Sequence, residues 1–304
     1  MATTETTGYP DAPNGPVRRT SAFLNRSTGG RLALTIAPPL GWMVVVYLGA
    51  LTLMIVTSFW RLDPLTSEVQ QVWGLQNFET VYTGEVYRAI TVRTLVTAVA
   101  VTVTDVALAF PIGYYMARMA SRRMRNILLV AVVLPLWSSY LVRAFAWKTI
   151  LGGGGPADWV LETFLGIEEP RIGASGWAVW LTFSYLWLPY VILPVYAALE
   201  RVPSSLLEAS GDLGAKGLTT FRRVVWPLAF PGVVAGSIFA FSLTLGDYIT
   251  PTLVGNRFFI GNAIYNFVGI GSNLPLAAAF ATVPIVIVAI YLSIAKRLGA
   301  FEAL

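Results

Sequence analysis

The chain combines an oily composition with a small excess of basic residues. Of its 304 residues, 56% are hydrophobic and 12% are charged, against roughly 25% charged in an average soluble domain, so we predict an integral membrane protein. Lys and Arg outnumber Asp and Glu by 21 to 16, which we interpret as loop charge beside an anionic membrane surface rather than a nucleic-acid-binding surface. The chain has no Cys and no His, which excludes disulfides, thiolate nucleophiles, imidazole bases and the usual zinc sites.

The first 30 residues predict a disordered tail because they are polar and contain Pro10, Pro13 and Pro16. The apolar run that follows, residues 32–60, is too long for the core of a signal peptide and lacks a small-residue cleavage site. We therefore predict an uncleaved first span and a membrane domain that covers residues 31–304.

Six segments are apolar over the length of about 20 helical residues that a bilayer core of about 30 Å requires. They are residues 36–60, 94–117, 127–147, 177–199, 228–250 and 276–295. The prediction is an all-α integral membrane fold with six transmembrane helices. A run without charge from Phe258 is too long to form one helix with the last span, and its Asn, Gly and Pro residues predict an interfacial or re-entrant segment.

The distribution of basic residues predicts the orientation. An even number of spans places both termini on one side, and basic residues in short loops identify the cytoplasmic side. Most of the 21 Lys and Arg residues lie in four segments: the tail, residues 118–125, residues 200–223 and the end of the last span. We predict a multi-pass protein with both termini in the cytoplasm and an intracellular loop, residues 200–228, between spans four and five.

That loop has the pattern of a short helix followed by an elbow. Ser205 and Glu208 have capping-box spacing, which predicts that the Ser caps the helix N-terminus. Gly214 and Gly217 are predicted to break the helix before a second, basic amphipathic turn.

Residues 208–227 read E-A-S-x3-G-x9-V-x-W-P. This pattern resembles the EAA loop of permease subunits in binding-protein-dependent type I ABC importers, E-A-A-x3-G-x9-I-x-L-P, with departures at Ser210, Val224 and Trp226. The resemblance implies that this segment is a cytoplasmic coupling helix that docks on a separate ATPase, through Glu208, Ala209, Ser210, Gly211, Asp212 and Gly214. The alternative is that Glu208 only caps a helix and that the loop only joins two spans.

Residues 135–151 and 245–256 resemble the spermidine/putrescine branch of these permeases, specifically its first permease subunit, and the resemblance extends over about residues 32–304. It implies polyamine uptake in a bacterial plasma (inner) membrane. The implied partners are a second homologous permease, a cytoplasmic ABC ATPase dimer, an extracytoplasmic solute-binding protein and membrane lipid, and no nucleic acid. Branches that carry ferric ion or small organic anions share parts of these segments.

The chain has no G-x-x-x-x-G-K-[ST] phosphate loop of its own. We therefore expect no catalytic residue, no metal and no cofactor in this chain, with ATP and Mg bound by the partner ATPase. Transport ATPase activity would then reside on that partner, and this chain would not be an enzyme.

Ionisable residues at membrane depth are candidates for the translocation pathway. Asp105 lies about 17 Å into the second span at the α-helical rise, near the midplane. A pathway role and an interhelical hydrogen bond explain it equally well. Four further residues, near the predicted outer mouth, are Arg143, Trp147, Asp247 and Tyr248. Their alternative explanation is an interfacial Arg, an aromatic belt and an Asp247 that merely pairs with Arg143.

Two other classes of function are weighed against the permease. A secondary carrier or channel would use Asp105 as an ion- or proton-coupling site, and a protonophore would abolish its uptake. An intramembrane enzyme would require a cluster of catalytic side chains, which the sequence does not contain.

Overall fold

The computed structural model describes residues 28–167 and 172–297. Most of the predicted tail, residues 1–27, lies outside the described residues, but helix starts at Thr28 rather than after residue 30. The chain divides into two units, Met1–Val56 and Thr57–Leu304, which are described separately.

The described part of the first unit is a hydrophobic helix. Helix α1 (Thr28–Met43) continues through one π-helical turn (Val44–Leu48) into α2 (Gly49–Ser58), which ends just beyond the unit boundary. Over Leu32–Ser58 the helix is long and apolar enough to cross a membrane. The predicted first span is therefore a single helix, whose residues from Leu32 to Val56 carry mostly exposed apolar side chains.

The second unit begins with a small hairpin and continues as helices. Strands β1 (Arg61–Leu62) and β2 (Val69–Gln70) are antiparallel, with Arg61 opposite Gln70. The helices are α3 (Gln76–Thr83), α4 (Glu85–Tyr114, prolonged by a π-helical turn, Tyr115–Met119), α5 (Arg122–Trp137), α6 (Tyr140–Leu151), α7 (Pro156–Leu165), α8 (Gly176–Glu200), α9 (Ser204–Asp212), α10 (Gly217–Thr220, followed by a π-helical turn, Phe221–Val225), α11 (Trp226–Gly246), α12 (Ile249–Val254), α13 (Ile260–Gly269) and α14 (Leu274–Arg297).

The prediction of a continuous third span, residues 127–147, is wrong. The chain breaks at Ser138 and Ser139, and the segments Arg122–Trp137 and Tyr140–Leu165 are bent by 96° relative to each other. Pro135 has no N–H to donate to the preceding turn, and its carbonyl accepts hydrogen bonds from the Ser138 N–H (3.2 Å) and the Ser138 hydroxyl (2.7 Å). Five described helices are long enough to span a membrane, or six if the bent pair counts as one.

The other predicted spans form long helices. Spans two, four, five and six lie in α4, α8, α11 and α14, although α11 ends at Gly246, four residues before the predicted end. The segment after Phe258 forms a separate helix, α13, that packs against α14. Its position at a membrane interface stays a prediction.

The core lies where α4, α8 and α11 pack together. Helix α8 is apolar around its whole circumference, and such helices become buried. Phe183, Leu186 and Leu199 along its length have no accessible surface. Helix α8 is therefore the central helix of this unit.

Two glycines let α11 approach α8 closely. A Cβ on Gly232 would lie 2.4 Å from the Cβ of Ala198 and 2.6 Å from the Pro194 carbonyl oxygen. A Cβ on Gly236 would lie 3.0 Å from the backbone of Val191. Lipid provides no hydrophobic driving force for helix association. Membrane helices associate through close packing instead, and small residues at the crossing allow it.

We expect Gly232→Ala to destabilise the protein by about 1–3 kcal/mol, because the new methyl group must push α8 and α11 apart. The measurement is the thermal unfolding midpoint of the purified protein in detergent. Gly246→Ala is the matched control, because Gly246 lies on the same helix. Outside the helix's own backbone and the chain neighbours, no atom lies within 4 Å of a Cβ added there. Equal midpoints for the two variants would contradict the close crossing.

Candidate functional site

The connection between α8 and α11, residues 201–225, is called the elbow below. Its helix α9 has no buried residue. Of the predicted coupling residues, Glu208, Ala209, Gly211, Asp212 and Gly214 are exposed, while Ser210 is half-buried. The elbow therefore presents the predicted motif on the surface of the chain.

The predicted capping box in the elbow is wrong. Helix α9 begins at Ser204, directly after Pro203, and no side chain caps its N-terminus. The helix starts two residues earlier than predicted, so Ser205 lies inside its first turn. The predicted break at Gly214 is present, because Gly214 has φ +74°, a conformation that glycine adopts without steric cost.

Two apolar side chains attach the elbow to the core. Leu207 and Phe221 pack against the main cluster of buried residues. The rings of Phe221 and Phe110 meet edge to face, with centroids 5.4 Å apart. The hydroxyl oxygens of Ser210 and Thr220, 2.8 Å apart, join α9 to α10.

Two arginines attach the start of the elbow to neighbouring helices. The Arg118 guanidinium donates to the carbonyls of Leu199 (2.7 Å) and Val202, at the C-terminus of α8. The Arg125 guanidinium lies 3.2 Å from the Glu200 carboxylate. The sequence predicts these arginines only as loop charge, since nothing in the local pattern indicates a partner more than 70 residues away.

Exposed leucines on the elbow were also missed. Leu206, Leu213 and Leu218 are exposed, and Leu213 is 88% exposed. Large apolar side chains clustered on a surface mark interaction sites more often than chance. The elbow therefore combines acidic and apolar groups on one exposed segment.

Asp105 is fully buried on α4. The Ser184 hydroxyl of α8 lies near the carboxyl group, but no hydrogen bond of normal geometry reaches either carboxyl oxygen. Thr94, Ala98 and Ala109 of the same helix face are also buried. The carboxyl group therefore lies between α4 and α8, and neither of its oxygens has a hydrogen-bond partner among the described residues.

Asp247 is the centre of a polar cluster after the end of α11. Its Oδ1 accepts hydrogen bonds from the backbone N–H groups of Ile249 (2.7 Å) and Thr250 (3.3 Å). Its Oδ2 accepts from the Thr250 hydroxyl (2.9 Å) and from the Tyr140 hydroxyl. The carboxylate therefore holds the first turn of α12 and connects it to α6.

Arg143 lies one turn after Tyr140 on α6 and is 8% exposed. No ion pair joins it to Asp247 in the part of the chain that the structure describes, so the predicted alternative of an Arg143–Asp247 pair is wrong. The partners of Asp247 are instead two backbone amides and the hydroxyls of Thr250 and Tyr140. The Nε and Nη1 atoms of Arg143 are buried without a hydrogen bond.

Aromatic rings surround this cluster. Tyr140 stacks on Trp187 with centroids 5.8 Å apart and ring planes at 10°. Tyr248 stacks on Tyr265 of α13 at 4.7 Å, and Trp147 packs against Tyr185 of α8 at 5.3 Å. Helices α6 and α12 thus bring Arg143, Asp247 and Tyr248 to one region, whereas Asp105 belongs to the α4–α8 contact and the coupling residues to the elbow.

In residues 28–167 and 172–297, no three Asp or Glu side chains cluster closely enough to hold a metal ion. The candidate pathway residues include two carboxyl groups, Asp105 and Asp247, and one guanidinium group, Arg143. Such groups can bind or steer a charged solute.

Long apolar helices around a buried core, with an exposed elbow between two of them, define a multi-pass membrane permease. Residues 109–299 match the family described as "Binding-protein-dependent transport system inner membrane component". The chain belongs to this family, and it is a permease subunit of a type I ABC importer in a bacterial inner membrane.

Individual relatives agree with this assignment. The chain is 46% identical to the "Inner membrane ABC transporter permease protein YdcU" of Escherichia coli, over 96% of this chain and 98% of that protein. It is 29% identical to the "Spermidine/putrescine transport system permease protein PotB" of Salmonella typhimurium, over 82% of this chain and 84% of that protein.

A solved structure has the same fold. The crystal structure of a bacterial alginate ABC transporter, in complex with an alginate pentasaccharide-bound periplasmic protein, contains a chain that matches with a TM-score of 0.73. The match covers 92% of this chain and 97% of that chain at 16% sequence identity, which supports the fold alone.

We expect Tyr140→Phe to lower the free energy of unfolding by about 1–3 kcal/mol, because it removes a hydrogen bond to a carboxylate. Thermal unfolding in detergent measures the loss. Tyr248→Phe is the control, since no hydrogen bond involves the Tyr248 hydroxyl in the described residues. A double-mutant cycle with Asp247→Asn should give a coupling energy of about 0.5–3 kcal/mol, and strict additivity would show that the hydrogen bond contributes nothing.

Proposed function

We propose that this chain forms one half of an ATP-driven translocation pathway and that the elbow couples it to a separate ATPase. The observation that supports the proposal is the attachment of an exposed α9 to the transmembrane core. The elbow leads from α8 directly into α11, and its apolar anchors Leu207 and Phe221 pack on the main cluster.

A coupling element has to transmit displacement without bending. Arg118 lies in the π-helical turn that prolongs α4, and Arg125 lies on α5. Their contacts connect these two elements to the C-terminal end of α8 and the residues after it. The hydroxyl contact between Ser210 and Thr220 closes the elbow across its glycine break. A push on α9 would therefore move several helices together rather than only the loop.

The exposed groups of the elbow suit docking in a groove of another protein. Glu208 and Asp212 supply negative charge, and Leu213 and Leu218 supply apolar contact. Apolar anchors surrounded by polar groups are typical of interface centres. The proposed partners are a cytoplasmic ABC ATPase dimer that binds ATP and Mg, a second homologous permease and an extracytoplasmic solute-binding protein, with both termini of this chain in the cytoplasm.

The proposed cargo is a polyamine such as spermidine or putrescine. The name of the Salmonella typhimurium relative supports this cargo class. Two carboxyl groups, Asp105 and Asp247, and the aromatic faces around Asp247 suit an organic polycation. Arg143 opposes such a cargo unless an anion neutralises it, so an organic anion is the alternative solute that Arg143 favours. Ferric ion, the other alternative, would meet the same repulsion as a polyamine.

One observation favours a second candidate function. Asp105 is a fully buried carboxyl group without a hydrogen bond in the middle of a long apolar helix. Ionisable groups in such positions are typical of ion- or proton-coupled carriers. The rival proposal is a secondary transporter or channel that needs no nucleotide.

Glu208→Lys tests the elbow as the ATPase dock. We expect the variant to insert and fold but to lose about tenfold or more of the ATPase that co-purifies with the wild-type chain, because charge reversal places like charges together at an interface. Glu162→Lys is the matched control, since Glu162 is an exposed acid on α7, a segment predicted to lie on the opposite side of the membrane. Unchanged co-purification of Glu208→Lys would contradict the dock, and mass spectrometry would identify the accompanying subunits.

Uptake by vesicles that contain the complete transporter tests the cargo and the energy source. We expect putrescine or spermidine uptake to require internal ATP and to persist with a protonophore. Asp247→Asn should lower the uptake rate by about tenfold with normal subunit assembly, because it removes a negative charge that attracts the amine. Uptake that is indifferent to ATP and abolished by the protonophore would favour the secondary carrier.

A further inference from the structure

A groove runs along the middle of α4 and the start of α8, beside the connection between α12 and α13. Its volume is about 1010 Å³. None of the predicted pathway residues lines it. The lining residues that carry the argument are Arg93, Val96, Ala100, Val103, Trp177 and Arg257.

The charge in this groove is unbalanced. Arg93 and Arg257 line it, and no acidic residue lines it among residues 28–167 and 172–297. The two guanidinium groups are close enough for their charges to repel each other, and neither pairs with a carboxylate in the described part of the chain. The Arg93 guanidinium is oriented by a hydrogen bond to the Phe258 carbonyl (2.8 Å).

Two arginines that line one groove, neither paired with a carboxylate in the described residues, favour the binding of an anion. Guanidinium groups bind phosphate oxygens through charge-assisted, often bidentate hydrogen bonds. The binding of a phosphate would also relieve the repulsion between Arg93 and Arg257.

Apart from Thr97, Thr104, Ser175 and Asn256, the rest of the groove lining is apolar or glycine, and the groove has about the length of one membrane leaflet. Val96 and Val103 are both 62% exposed along the α4 side, and Trp177 is 69% exposed at the start of α8. Arg93 and Thr104, which also lines the groove, are separated by about 16 Å at the α-helical rise, close to half of a bilayer core of about 30 Å. The arginines therefore lie at one end of an apolar track that reaches toward the midplane. Trp177 also lines the groove, and Trp residues are enriched at the membrane–water interface.

We propose that this groove binds one anionic phospholipid. The phosphate of a phosphatidylglycerol headgroup contacts Arg93 and Arg257, and an acyl chain lies along Val96, Ala100 and Val103. The absence of an acid among the lining residues disfavours phosphatidylethanolamine, whose ammonium group would meet only positive charge. A soluble anion would use the arginine end and leave the apolar track empty. The inference is independent of the proposed cargo.

The experiment uses the complete transporter, purified in mild detergent from membranes that contain phosphatidylglycerol. Native mass spectrometry and lipid extraction measure the phosphatidylglycerol retained per complex. We expect retention by the wild type and a loss of at least about tenfold in the double variant Arg93→Gln/Arg257→Gln, which lacks the charge-assisted hydrogen bonds. Arg88→Gln is the matched control, because Arg88 is an exposed arginine of the same helix that does not line the groove. Equal retention by the double variant and the wild type, or equal loss in the control, overturns the proposal.

A second variant tests the acyl track separately. Ala100→Trp fills the groove and leaves both arginines in place, so it should lose phosphatidylglycerol about as strongly as the double variant while it elutes as an intact complex. Normal retention by Ala100→Trp overturns the acyl-chain assignment. In lipid-depleted complexes, phosphatidylglycerol but not inorganic phosphate should raise the thermal unfolding midpoint of the wild type. An equal rise with inorganic phosphate would identify a soluble-anion site instead.

Discussion

The close crossing of α8 and α11 is the contact on which the rest of the unit depends. Gly232 leaves no room for even a methyl group between it and the Pro194–Ala198 turn of α8, so the two helices are held at backbone distance. In lipid, such packing supplies the association energy that hydrophobic burial supplies in water. Because the elbow is the chain segment that joins these two helices, their close contact also fixes the base from which the elbow projects. The stability of the unit and the proposed coupling to an ATPase thus both depend on the contact between α8 and α11.

At two helix ends, side chains of the same protein form hydrogen bonds to backbone groups. Arg118 caps the carbonyls at the end of α8, and Asp247 caps the amides at the start of α12. Unpaired backbone groups are costly at membrane depth, which explains why Asp247 and its neighbour Thr250 lie at a helix break. This structural role does not compete with the proposed pathway role, because Asp247 is only half-buried.

Several polar groups lack partners among the described residues. Asp105 and Arg143 have buried atoms without hydrogen bonds, and a buried unpaired group costs free energy. Arg93 and Arg257 are not buried, but they line a common groove and neither pairs with a carboxylate in the described residues. We infer that both arrangements serve contacts outside the chain. The three positions differ in charge and surroundings, and we therefore assign them to different contacts: a proposed solute pathway at Asp105 and Arg143, and a phospholipid headgroup at the arginine pair.

The sequence by itself determined the membrane class, the approximate position of five of the six spans and the elbow with its glycine break, because hydropathy, residue spacing and backbone freedom are local properties. Only the tertiary structure decided that the third span bends at Ser138 and Ser139, that Tyr140 rather than Arg143 contacts Asp247, and that Arg118 caps α8. Those contacts join residues far apart in the chain, and hydrogen bonds depend on the direction of each side chain once the helices have packed. The Ser205 capping box failed for a related reason, since Pro203 sets the start of α9 in competition with a motif that local spacing alone favours.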